Sequence, residues 1–129
     1  MNRQVQQQMI EAACQVRAAA YAPYSRFLVG AAILTADRQL VTGCNVENAS
    51  YGLTLCAERV ALCAAVAAGH RQFLGLAIAS SVGCPPCGAC RQVLAEFCPD
   101  LPIYLVAVDA GRRVTRTTLA KLFPGRFDL

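Results

Sequence analysis

The chain has 129 residues, of which 56% are apolar and 16% charged, and its 12 basic against 8 acidic side chains leave a formal charge of +4. That length suits one domain over residues 1–129, able to bury about two-thirds of its unfolded surface, and leaves no need for a second. The apolar share is high for a soluble globular chain and predicts burial against further copies of itself.

The amino terminus, Met1-Asn2-Arg3 followed by Gln4, Gln6, Gln7 and Gln8, lacks the apolar stretch of a secretory signal. The longest apolar run, Val60 to Ala68, falls far short of the roughly 20 residues that span a bilayer. A cytoplasmic protein with no membrane contact is expected, and its eight cysteines should be thiols or metal ligands rather than disulfides. The basic excess sits in the tail, where Arg112, Arg113, Arg116, Lys121 and Arg126 face only Asp128. No long basic stripe with interleaved aromatics is present, so a nucleic-acid partner is not expected.

In chain order, Val5, Met9, Ala12, Val16 and Ala20 recur at helical spacing, predicting an amphipathic helix from Arg3 to about Ala20 that Pro23 ends. Tyr24-Ser25-Arg26-Phe27 reads as a loop into a strand over Leu28–Thr35. Ala36 to Gln39 connects it as a hairpin to a second strand, Leu40–Cys44. After a polar loop, Asn45 to Thr54, a helix is expected over Leu55–Ala68, stopped by Gly69. Its residues beyond Arg59 are apolar on every side, which predicts a helix buried all round and so argues for a partner subunit. Phe73–Ser80 reads as a third strand, Cys87–Phe97 as a helix with Val93, Leu94 and Phe97 on one face, and Pro102–Val108 as a fourth strand. Arg112–Arg116 and Thr118–Phe123 read as a fifth strand and a short final helix.

Two segments carry the chemistry. Cys56-Ala57-Glu58 and Pro86-Cys87-Gly88-Ala89-Cys90 each stand at the start of a helix that follows a strand, so both helix ends should converge beyond the sheet. Cys87 and Cys90 are one helical turn apart and suit a two-ligand clamp. Taken alone that pair also fits a redox dithiol or half of a structural zinc knuckle. With Cys56 and Glu58 added, the set fits a catalytic Zn²⁺, one per chain. Three ligands leave the fourth tetrahedral position for water, and Glu58 is placed to move that water's protons. A zinc-stabilised binding module without turnover remains the alternative, and it should show four protein ligands. Three thiolates make an anionic site, which two helix amino termini and Arg59 are expected to offset. The single histidine, His70, follows Gly69 and reads as a cap or solvent residue. Cys14, Cys44, Cys63, Cys84 and Cys98 read as plain buried or half-buried thiols.

Cys-Ala-Glu followed by Pro-Cys-x-x-Cys resembles the zinc deaminase signature, with cysteine where nucleic-acid deaminases carry histidine. Over nearly its full length the chain resembles the small homotetrameric cytidine deaminases. Matching stretches include Tyr21-Ala22-Pro23-Tyr24-Ser25, Phe27 to Ala32, Gly43 to Ala49, Cys56 to Arg59, Pro86 to Gln92, and Leu122 to Phe127. The resemblance implies a three-layer α/β/α sandwich around a five-stranded mixed sheet, a homotetramer, and hydrolysis of cytidine or deoxycytidine to the uridine product. It implies that Cys56, Cys87 and Cys90 bind zinc. Glu58 would take a proton from water, give one to N3 of cytosine, and help ammonia leave C4. Asn45 and Glu47 match ribose-binding residues, Phe27 an aromatic packed on the base, and Ala57 a residue whose backbone reads the base edge. Phe127 matches a residue entering from a neighbouring subunit, and Tyr51 one at the subunit contact. A deaminase of a cytosine-containing antibiotic nucleoside shares the metal motif and is the runner-up activity.

Overall fold

The computed structural model describes residues 1–129. Five strands form one mixed sheet: β1 (Gly30–Thr35), β2 (Leu40–Cys44), β3 (Phe73–Ser80), β4 (Pro102–Ala107) and β5 (Arg113–Thr118), in the spatial order β2-β1-β3-β4-β5. The β1–β2 pair is a hairpin, β1 is antiparallel to β3, and β5 is antiparallel to β4. Only β3 and β4 run parallel, joined by a crossover through a helix, as parallel neighbours require. Four helices complete the chain: α1 (Arg3–Arg17), α2 (Ala57–Ala67), α3 (Gly88–Phe97) and α4 (Leu119–Leu122).

Side chains alternate across the strands and so build two cores, one on each face. Ala32, Leu34, Ala77, Ala79 and Val106 point to α1, where they meet Met9, Ile10 and Ala13. Ala31, Ile33, Leu76, Ile78, Ile103 and Leu105 point the other way, to Ala57, Ala61, Leu62 and Ala65 of α2, Leu94 of α3 and Leu119 of α4. The layers are therefore α/β/α with a five-stranded mixed sheet, as expected.

Two glycines set how closely the helices sit on the sheet. A Cβ on Gly30 would lie 2.2 Å from the Ala13 carbonyl oxygen, and one on Gly43 would lie 2.4 Å from the Ala61 amide nitrogen. Both distances are below any real contact, so α1 on β1 and α2 on β2 pack backbone to backbone. The second of these contacts fixes the helix that begins beside Cys56.

Several sequence boundaries shift, each for a physical reason. α1 ends at Arg17 rather than Ala20, because Ala18, Ala19 and Ala20 donate to carbonyls three residues back, a tightened final turn, and Tyr21 then pairs with Asn45. Its buried stripe includes Ile10 and Ala13, which the chosen periodicity left out. α2 and α3 begin one residue after Cys56 and Cys87, which occupy the two N-cap positions. The first strand starts at Gly30 rather than Leu28, since the segment before it is held mainly by the Asn45 side chain, with a single backbone hydrogen bond from the Asn45 amide to the Val29 carbonyl. β5 runs on to Thr118, opposite Pro102, and shortens α4 accordingly.

Within the single chain α2 is not covered all round: Cys63, Ala64, Ala67 and Ala68 are exposed. Only one face of α2 meets the sheet, and the other presents small apolar residues to the surroundings. Cys63 is likewise exposed, not a buried thiol. His70 does not cap the helix with its ring; its Nδ1 lies 3.4 Å from an Asp37 carboxylate oxygen on the β1–β2 hairpin.

Candidate metal centre and active-site cavity

The two N-caps bring their sulfurs together beyond the sheet. Cys56 Sγ is 3.9 Å from Cys87 Sγ, Cys87 Sγ is 3.4 Å from Cys90 Sγ, and all three lie within 4.8 Å of one another. Thiolates about 2.3 Å from a tetrahedral zinc stand about 3.8 Å apart, so these spacings match the edges of a site that one ion fills. The donor chemistry fits as well: three soft sulfurs and no fourth protein ligand in the cluster. Cys87 and Cys90 are separate thiols, well beyond the about 2.0 Å of a disulfide, which is not the geometry of an oxidised redox pair.

Charge in the cluster is shared unequally. A hydrogen bond from the Cys90 thiol, and then the guanidinium of Arg59, pull the Cys56 pKa down to about 5. The same hydrogen bond, reinforced by burial, raises that of Cys90. Arg59 Nη2 lies 3.5 Å from Cys56 Sγ and 3.4 Å from the Thr54 carbonyl oxygen, and its buried Nε has no hydrogen-bond partner. A cation with a spare donor beside three sulfurs is what an anionic ligand set needs. Arg59→Gln should keep zinc near one per chain and lower kcat by about 10–100-fold, the usual worth of a charged hydrogen bond. Unchanged turnover, with zinc measured by atomic emission, would remove this role.

Glu58 is buried one residue into α2, with only 5% of its surface exposed. Desolvation is the largest influence on its carboxyl and raises its pKa, with the Cys56 thiolate adding to the rise. A carboxyl so placed both accepts and returns protons readily.

A cavity of about 320 Å³ opens above the cluster, within the size range of small-molecule sites. Cys56, Ala57, Glu58 and Cys87 line one part of it, and Phe27, Asn45, Glu47 and Tyr51 another. The fold thus brings eight of the sequence-selected residues to one place, with Cys90 and Arg59 adjoining through the sulfur cluster. Phe127 stands apart on the exposed tail, where its carbonyl accepts from Gln92 Nε2 at 3.3 Å.

Asn45 has a structural task that the sequence reading missed. Its Nδ2 donates to the Phe27 carbonyl at 2.7 Å and its Oδ1 accepts from the Val29 amide at 2.9 Å, so the side chain pairs with the backbone leading into β1. Ser25, Val29, Thr54, Leu55, Ile78, Cys84 and Pro85 also line the cavity and were not selected. Ser25 had a local signal: its hydroxyl accepts from the Phe27 amide two residues on, a turn that serine favours. The others reach the cavity through tertiary placement only.

Fold and cluster together define a zinc-dependent enzyme built on an α/β/α sandwich. Residues 3–106 match the family model of the cytidine and deoxycytidylate deaminase zinc-binding region. A cytidine deaminase of Halalkalibacterium halodurans is 47% identical over 98% of this chain and 95% of its own length. The crystal structure of a cytidine deaminase from Burkholderia pseudomallei superposes with a TM-score of 0.90 at 45% identity, covering 98% of this chain and all of the other. A blasticidin-S deaminase of Bacillus cereus is more distant, 27% identical over 77% of the chain. The chain belongs to the cytidine and deoxycytidylate deaminase family.

Proposed function

We propose that this enzyme hydrolyses cytidine and deoxycytidine to uridine and deoxyuridine, releasing ammonia, with Cys56, Cys87 and Cys90 holding one zinc per chain. The observation that carries this reading is a buried Glu58 beside three sulfurs at tetrahedral spacing, forming one wall of a nucleoside-sized cavity. When bound, zinc supplies Lewis acidity that lowers the pKa of water from about 15.7 toward about 7. The chain's own residues do the rest. Glu58 takes one proton of the attacking water and delivers it to N3 of the base as the water oxygen bonds to C4, then moves that oxygen's remaining proton to the amino group, so that the C4–N bond breaks and ammonia leaves. Phe27 packs on the base, the backbone at Ala57 reads its edge, and Asn45 and Glu47 bind the sugar.

A free nucleoside suits the cavity better than a nucleotide. Its charged lining is Glu47 and Glu58 with cysteine sulfurs, and no lysine or arginine lines it to meet a 5′-phosphate. The domain is proposed to act as a homotetramer in the cytoplasm. Supporting the assembly are the uncovered small-residue face of α2 and the exposed Tyr51, Leu53, Leu55 and Phe127. In such an assembly Tyr51 lies at a subunit contact and Phe127 enters a neighbour's cavity. No helix is long and apolar enough to cross a membrane.

The test is the fall in absorbance as purified protein, with its zinc quantified, converts cytidine, compared with cytidine 5′-monophosphate and blasticidin S. Cytidine should be consumed far faster than either. Zinc near one per chain with no loss of cytidine would overturn the proposal.

Asn45→Ala should raise KM for both nucleosides by about 10-fold or more and retain zinc. It should also cost roughly 1–3 kcal/mol of stability, because two backbone groups before β1 lose their partners. An unchanged KM in steady-state assays would sink the sugar-binding role.

A further inference from the structure

Glu47 is 4% exposed, and its carboxylate is held at both oxygens. Oε1 accepts from the backbone amides of Tyr24 at 2.9 Å and Ser25 at 3.1 Å. Oε2 accepts from the Ser25 hydroxyl. The terminal torsion of a glutamate is soft, and the planar carboxylate turns about it as a unit. The two amides hold that torsion from the Oε1 side, and the serine hydroxyl holds it from the Oε2 side. The same hydroxyl oxygen accepts from the Phe27 amide at 3.0 Å, so one atom ties the sugar-side carboxylate to the segment that carries the base-packing aromatic. A hydroxyl has one proton to give and two lone pairs to receive with, and Ser25 uses both capacities within the site.

We infer that Ser25 is a positioning residue for nucleoside binding that acts through Glu47: its hydroxyl aims Glu47 Oε2 at the sugar hydroxyl. This rests on the proposed assignment of Glu47 to the sugar. Deoxycytidine and cytidine share a 3′- and a 5′-hydroxyl, and the group assigned to Glu47 is the 3′-hydroxyl. Ser25 itself need not touch the substrate, since its proton is already given to Glu47. Its loss should therefore be felt according to whether the substrate offers a 3′-hydroxyl.

The experiment compares deoxycytidine with 2′,3′-dideoxycytidine, which differ only in that group, using the full-length zinc-loaded enzyme. Wild type, Ser25→Ala, Ser25→Thr, Glu47→Gln and the Ser25→Ala/Glu47→Gln double variant are measured, with zinc content and Tm recorded for each. Ser25→Ala should raise KM for deoxycytidine by about 10-fold, with kcat within about 3-fold and zinc retained. For dideoxycytidine its KM should move less than about 2-fold. Ser25→Thr, which keeps the hydroxyl, should recover most of the loss. The double variant should be no worse on deoxycytidine than Glu47→Gln alone, because both changes remove the same contact.

An equal KM penalty on both substrates would overturn the inference, as would an unmoved KM in Ser25→Ala while Glu47→Gln raises it. A fall in Tm without the substrate dependence would likewise mark the serine as merely structural. If Glu47→Gln itself fails to discriminate the two substrates, the sugar assignment of Glu47 falls, and the inference with it.

Discussion

Glu58→Gln should leave zinc near one per chain and lower kcat for cytidine by about 10³–10⁴-fold, with a much smaller change in KM. The reaction moves two protons: one from water to N3, and one to the amino group so that it departs as ammonia. Glu58 is proposed to carry both. A positioned acid or base is worth about 10²–10⁴-fold, and a group used twice should fall at the upper end. At about 1.36 kcal/mol per tenfold, that is roughly 4–5.4 kcal/mol of barrier. The amide of glutamine keeps the size and one acceptor oxygen of the carboxylate, so substrate and metal stay where they are. It cannot hold a transferable proton. Burial, the largest influence on Glu58, also means that no bulk water stands ready to substitute for it. Steady-state kinetics on zinc-quantified protein check this, and activity within tenfold of wild type would mean the protons travel another way.

The strands were readable because their signals are local. Phe73–Ser80 and Leu40–Cys44 are apolar or β-branched runs between polar or turn-forming segments, and both appear with the expected limits. The convergence of Cys56 and Cys87 was also readable, because each follows a strand and opens a helix, and Pro86 marks the second opening. What escaped depends on contacts between distant parts of the chain. Asn45 lies 16 residues from Val29 and Glu47 lies 22 from Ser25, and no local pattern pairs them. The outer face of α2 was legible as a surface that avoids water, from its run of small apolar residues, and in the single chain it is uncovered at Cys63, Ala64, Ala67 and Ala68. The early end of α1 belongs with the distant contacts, since Tyr21 turns away to pair with Asn45.

Cys90→Ser should abolish both zinc retention and turnover while leaving the fold in place. Cys90 is the buried member of the sulfur cluster, and its replacement exchanges a soft thiolate for a hydroxyl that does not ionise near neutral pH. Two remaining thiolates form an incomplete set, and the spacing that suits a tetrahedral ion is lost on its shortest edge, the 3.4 Å between Cys87 and Cys90. Small zinc domains unfold without their metal because they have little else to bury. Here one core of 15 buried residues and a second of nine lie against the two faces of the sheet, and neither contains Cys56, Cys87 or Cys90. Far-ultraviolet circular dichroism should therefore match wild type. The Tm should fall, because an ion bound only by the folded state stabilises it, and because that ion ties the start of α2 to the start of α3. Zinc below about 0.1 per chain after dialysis is expected, against near one for wild type, with cytidine turnover at background. Chelator-treated wild type should match the variant in activity and Tm, and should recover when zinc is returned, whereas the variant should not. Stoichiometric zinc in Cys90→Ser would show that other residues hold the ion, and an unfolded spectrum would show that the two cores do not suffice without it.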